Sequence, residues 1–156
     1  MLQTAENLAP EAKEAITDAL NQAVAETAVT TMLAQNFHWN VKGMAFGPLH
    51  ALFQEIYEDH FELAERVKAV GGHAEGRLAE MVRISKVDVH DGHANAETMV
   101  ATMAAAQRTV AATLAGVADV AESHGDLKTQ DLAIARGQTH EKYARILDAH
   151  LGCSHA

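Results

Sequence analysis

The sequence predicts an all-α fold: one four-helix bundle with a long crossover, carrying a short helix, between helices two and three. Three observations predict it. The chain is 156 residues long and 48% hydrophobic, enough for one packed domain. Alanine is its commonest residue, while aromatic residues make up 4% and there are two prolines. Alanine is the best helix former, so helices are favoured over a sandwich or barrel. Finally, apolar residues recur three or four apart over four long stretches, the period of a helix face.

The first helix begins near Pro10, a residue suited to a first turn. Its face is Ile16, Leu20, Ala23, Thr27, Thr30, Ala34 and Phe37, and Gly43 and Gly47–Pro48 break it. The second helix starts near Pro48. Leu49, Phe53, Ile56, His60, Leu63, Val67 and Val70 predict one unbroken buried seam as far as Gly71–Gly72. A short helix is expected at 77–82 and a loop at 85–93. Asn95 is an expected N-cap for the third helix, which runs to about Ser123 and stops at Gly125. Asp126 opens the fourth, where negative charge suits the helix dipole. Its expected inner face is Leu132, Ala135, Thr139, Tyr143, Ile146 and His150. Residues 1–156 read as one domain, with residues 1–9 and 152–156 as tails. A bundle whose only long connection joins helices two and three is the ferritin-like plan.

Composition excludes several functions. A net charge of −9 argues against a general binder of nucleic acid or anionic membrane and suits cationic partners, metal ions among them. No apolar run reaches the roughly 18 residues of a membrane helix. The first residues lack a basic start and an apolar core, so no signal peptide is expected, and the expected location is cytoplasmic. A single cysteine, Cys153, permits no internal disulfide.

Ten histidines are many for this length. His38 lies at the end of the first helix and His50 at the start of the second; neutral imidazoles bind first-row metals. Glu55, Glu58, Asp59, Glu62 and Glu65 come next, and Glu62 and Glu65, three apart, share a face. Such a run is either a solvated helix face or, joined with imidazole, a set of oxygen and nitrogen ligands suited to iron, manganese or zinc.

These residues carry a resemblance. The segment NFHWNVKG, with Phe46, Leu49 and His50 after it, then LAERV and the pair Gly71–Gly72, resembles the signature of the Dps family, the mini-ferritins. The stretch from GDLKTQDL to HEKYARIL resembles that family's last helix, so the likeness covers residues 10–151. It implies a ferritin-like, hollow dodecamer that oxidises Fe(II), preferably with hydrogen peroxide, stores the ferric mineral and protects DNA from oxidative damage. No organic cofactor is expected. In the family each iron site lies between two subunits. The resemblance makes His38 and His50 ligands from one subunit and Glu65 a ligand from the neighbour. It sets Trp39 beside the site, as packing or as an interceptor of oxidising equivalents. It also assigns Asp126 and Asp131 to acidic pores that admit Fe(II); the plainer alternative is that they serve their helix terminus.

One departure matters. Four residues before Glu65, where the family has an Asp ligand, stands Phe61. The second helix is about four residues short between His60 and Leu63. Such a loss rotates the downstream residues by about 40° and shortens the helix by about 6 Å. Three readings are open, in this order: the sequence lacks a segment that the natural chain contains, Glu62 replaces the Asp, or the site is weakened.

Elsewhere, His150, Cys153 and His155 are too few for a closed zinc site and read as a loose tail, while His73, His90 and His93 read as surface histidines of the crossover. Three functions are in contention: a ferroxidase and iron store, a nucleoid-binding protein, and a cage with an impaired iron site. DNA binding is disfavoured. Residues 1–20 carry Lys13 against Glu6, Glu11, Glu14 and Asp18, and phosphate binding needs clustered cations.

Overall fold

The computed structural model describes residues 7–59, 62–89 and 92–152. They form six helices and no strand: α1 Pro10–Asn40, α2 Phe46–Glu58, α3 Glu62–Ala69, α4 Leu78–Ile84, α5 Ala96–Ser123 and α6 Leu127–His150. The long rods are α1, the α2–α3 pair, α5 and α6; α4 lies in the crossover. No helix among the described residues is long and apolar enough to cross a membrane.

The expected face of α1 is the observed one: Ile16, Leu20, Ala23, Thr27, Thr30, Ala34 and Phe37 are all buried. Around it pack α2, α3, α4 and α5, and α5 pairs with α6. Leu8, expected in a tail, is buried as well and joins the core ahead of the first turn.

The unbroken second helix is corrected. Its seam survives, since Leu49, Phe53, Ile56, Leu63, Val67 and Val70 are buried, but the helix does not run through. α2 stops at Glu58, and Asp59 is extended, with φ −80° and ψ 105°. His60 and Phe61 lie outside the described residues. The physical reason is local and global together. Asp is a weak helix former, and the Asp59 carboxylate is held by both Nη atoms of Arg136 on α6, at 2.9 and 3.0 Å. The two halves of the seam dock on α1 as separate helices.

The inner face expected for α6 is also corrected. Leu132, Thr139 and Ile146 are half-buried, and Ala135 and His150 are exposed. The buried stripe is Thr129, Ala133, Arg136, His140, Tyr143, Ala144, Leu147 and Asp148. Spacings of four and three are kept, but the stripe carries an arginine and a histidine, so an apolar search selected the neighbouring face.

The crossover is tied to α1 by polar side chains. Asn21 donates to the His73 carbonyl at 2.8 Å and accepts from the Glu75 amide at 3.0 Å. Gln22 donates to the Ile84 carbonyl at 2.6 Å. Glu26, fully buried, accepts from Gln22, the Lys86 amide and the Thr113 hydroxyl. At the end of α3 the chain passes so close to α1 that a Cβ on Gly72 would lie 2.2 Å from Thr17 Oγ1. The expected cap is present, Asn95 accepting from the Thr98 amide at 2.8 Å; Asp126, expected as a charge suited to the helix dipole, is itself the cap of α6 and accepts from the Thr129 amide at 3.1 Å. Gly125, at φ 72°, turns the chain between α5 and α6.

Candidate metal centre

His38 sits in the last turn of α1 and His50 is the fifth residue of α2. A short loop after the break at Val41 folds them face to face. Their rings stack with centroids 3.7 Å apart and planes 20° apart. Phe46 lies against the other face of His50, with centroids 4.9 Å apart, and Tyr57 meets His38 edge-on at 5.2 Å.

The hydrogen bonds are reciprocal. His38 Nδ1 lies 2.8 Å from the His50 carbonyl oxygen, and His50 Nδ1 lies 2.8 Å from the His38 carbonyl oxygen. A carbonyl only accepts, so both Nδ1 atoms carry the proton and donate it. In a neutral imidazole the other nitrogen, Nε2, then keeps its lone pair. Both rings are therefore fixed in the tautomer and orientation of a metal ligand by the backbone of the opposite residue, the role that outer hydrogen bonds serve at metal sites. The His38 carbonyl is one of those that the end of α1 leaves without a helical partner.

Two imidazoles are half of a metal site. Among the described residues no group of three or more His, Cys, Asp or Glu could hold a metal ion. Glu62 and Glu65 lie on α3, both exposed, and among the described residues they do not join the histidines within one chain. Trp39 is 60% exposed and lines a surface groove of about 490 Å³ with Met32, Leu78, Met81, Val82 and Val89. The aromatic rings packed on the histidine pair are those of Phe46 and Tyr57.

The remaining candidates separate by burial. The Asp126 carboxylate is buried: besides the Thr129 amide it accepts from Thr129 Oγ1 at 2.5 Å and pairs with Arg66 Nη2 at 3.3 Å. Within this chain the Asp126 carboxylate serves the start of α6 and pairs with α3. Asp131 is exposed beside Leu127, Lys128, Gln130 and Ile134 in a shallow depression. His73, His93 and His150 are exposed, while His90, Cys153 and His155 lie outside the described residues.

Sequence reasoning missed a buried polar chain. From Asp59 it passes to Arg136, whose Nη2 lies 3.4 Å from His140 Nε2. His140 Nδ1 donates to Gln107 Oε1 at 2.6 Å. Burial, and after it the Arg136 charge, pushes the His140 imidazole down to about 4, so it is neutral. Burial pushes the neighbouring Tyr143 hydroxyl up to about 12. The one sequence signal was the four-residue spacing of Arg136 and His140 on α6.

Comparison with known proteins agrees with this architecture. The ferritin-like domain family matches residues 17–153. General stress protein 20U of Bacillus subtilis is 33% identical over 143 residues, covering 89% of this chain and 99% of that protein. DNA protection during starvation protein 2 of Bacillus anthracis is 32% identical over 140 residues, covering 87% and 96%. Among solved structures, a Dps protein from Bacillus brevis superposes with a TM-score of 0.87 at 30% identity, covering 92% of this chain and 99% of that one.

Proposed function

This chain belongs to the ferritin-like family, in its Dps branch, and from that premise we propose that it is a mini-ferritin that oxidises Fe(II) and stores the ferric product in a hollow homo-oligomeric cage. The observation that carries the reading is the reciprocal histidine pair, which turns two Nε2 lone pairs outward from the Nδ1–carbonyl bonds. Borderline nitrogen ligands suit Fe(II), and carboxylate oxygen suits the Fe(III) that forms.

Iron is the substrate. His38 and His50 of one subunit bind it, and Glu65, with Glu62 in place of the missing Asp, completes the site from a neighbour's α3. The exposed apolar groove beside His38, lined by Met32, Trp39, Leu78, Val82 and Val89, supports a second copy seated next to the site. Covering it would also exclude water from the pair. Trp39 then packs at that interface, where it is placed to intercept oxidising equivalents. The oxidant is hydrogen peroxide: two Fe(II) give one electron each, and with two protons the peroxide becomes two waters. Twelve subunits form the cage, and exposed Asp131 lines the acidic entry pores. Removing iron and peroxide together protects DNA, the task in the name of the Bacillus anthracis relative. Direct DNA binding is not part of the proposal, because the chain carries −9 and no cluster of cations near its start.

One observation favours a second reading, a cage with an impaired iron site. The interruption at Asp59 stands immediately ahead of the proposed carboxylates, and Phe61 occupies the Asp position. One experiment separates the two. Purified protein of verified intact mass is loaded anaerobically with Fe(II), and peroxide is injected. Fast ferric absorbance with a soluble brown product is expected. Oxidation no faster than in buffer, with precipitate, from an assembled cage would establish the impaired site instead.

A further inference from the structure

We propose that Arg66 is a positioning residue for the iron-binding carboxylates, setting the direction of Glu65 and Glu62 by pinning α3 to the start of α6; this rests on the function proposed above. The interruption at Asp59 makes such a pin necessary. In an unbroken rod, the side chains after residue 59 would take their direction from α2. Here α3 has eight residues and its own start. A helix that short is marginal alone, so its direction is set by what it docks on. Leu63, Val67 and Val70 bury one edge, and the close approach of Gly72 to Thr17 fixes the far end. Apolar contacts of this kind are not directional.

Arg66 supplies the direction. Its Nε donates to Thr129 Oγ1 at 2.9 Å, and its Nη2 donates to Asp126 Oδ1 at 3.3 Å. The surroundings are dry: the Arg66 side chain is 15% exposed and that of Asp126 3%. The receiving corner is itself fixed. The Asp126 amide bonds to the Ala121 carbonyl at 2.9 Å, and its carboxylate caps α6 through both the amide and the hydroxyl of Thr129. Arginine's planar fork transmits orientation where a lysine would supply only charge. Neighbours on a helix point about 100° apart, so fixing Arg66 inward fixes the direction of Glu65, with Glu62 one turn before it on the same side. Asp126 therefore has a second duty beyond its cap: it anchors the carboxylate helix.

The test uses the assembled full-length protein and Co(II) alone as probe, read by its visible absorption under anaerobic conditions. Arg66→Met is expected to weaken Co(II) binding at least tenfold, the scale typical of lost outer-shell support, and to shift the absorption toward that of a site without Glu65. Arg66→Lys is expected to recover thermal stability but only part of the affinity. Thr129→Val, which removes one of the two contacts, is expected to fall between, and it serves if Arg66→Met does not assemble. A merely structural role predicts lower melting temperatures with wild-type Co(II) affinity and spectrum, and that result overturns the proposal. Glu65→Gln and His50→Ala run in parallel. If His50→Ala weakens binding while Glu65→Gln does not, Glu65 is no ligand, and the underlying reading fails rather than the pin alone.

Discussion

The buried imidazole of His140 makes stability fall in mild acid by an amount that can be worked from its surroundings. In the folded chain it sits 2.6 Å from Gln107 Oε1 and 3.4 Å from an Arg136 nitrogen, 4% exposed. Burial first, and the Arg136 charge second, hold it at about 4 against 6.5 for a free imidazole. Between those values the unfolded chain binds a proton that the folded chain refuses. Stability is therefore intact above pH 6.5 and declines as pH falls toward 4. At 1.36 kcal/mol for each tenfold difference in proton affinity, the full decline is about 3 kcal/mol. For about 150 residues that lowers the melting temperature by roughly 6–12 °C. His140→Gln keeps an amide to meet Gln107 and Arg136 but takes up no proton in this window. Melting curves for both proteins, at fixed concentration and ionic strength from about pH 7 to about pH 4, check the point. The wild type should lose several degrees more than the variant. Parallel curves would refute a neutral, buried His140.

Three further outcomes are expected. Arg136→Met strands the Asp59 carboxylate and His140 Nε2 together; because Asp59 is 23% exposed, the cost is about 2–3 kcal/mol, below that of a fully buried pair, read by urea unfolding. Gly72→Ala would set a Cβ 2.2 Å from Thr17 Oγ1 and 3.0 Å from Thr17 Cβ. Rotating Thr17 relieves the first contact but not the second, so a loss of about 1–3 kcal/mol is expected, read by the same unfolding curves. Asp126→Ala removes a cap and leaves Arg66 unpaired, and it should cost about 2 kcal/mol or more by thermal melting.

The fold was legible where burial is apolar. Every residue expected on the α1 face is buried: its alanine, aliphatic and aromatic members gain by turning inward, and Thr27 and Thr30 go in with them. On α6 the same logic chose the wrong face. Arg136 and His140 are buried because Asp59 and Gln107 meet them, and those partners come from other helices that a local pattern does not show. The second rod was half legible. Its seam spacing hid the break, since one turn of helix returns almost to the same face; only the comparison with the family pattern drew attention to this stretch.

Of the site, the residue types at His38 and His50 were readable from their motif, but their mutual carbonyl bonds exist only once α1 and α2 meet. Asp126 was read with two alternatives, and neither showed its contact with Arg66, which comes from α3. Trp39, expected beside the site, lines the groove next to it, and Tyr57 and Phe46 take the ring contacts.

The central claim is that the paired imidazoles bind the iron that is oxidised. The most direct measurement is the initial rate of peroxide-driven Fe(II) oxidation in a stopped-flow mixer, comparing the wild type with His38→Ala/His50→Ala at equal concentrations of assembled protein. The account predicts an unchanged particle mass and a rate at least tenfold lower in the double variant. Equal rates from equally assembled particles would contradict it.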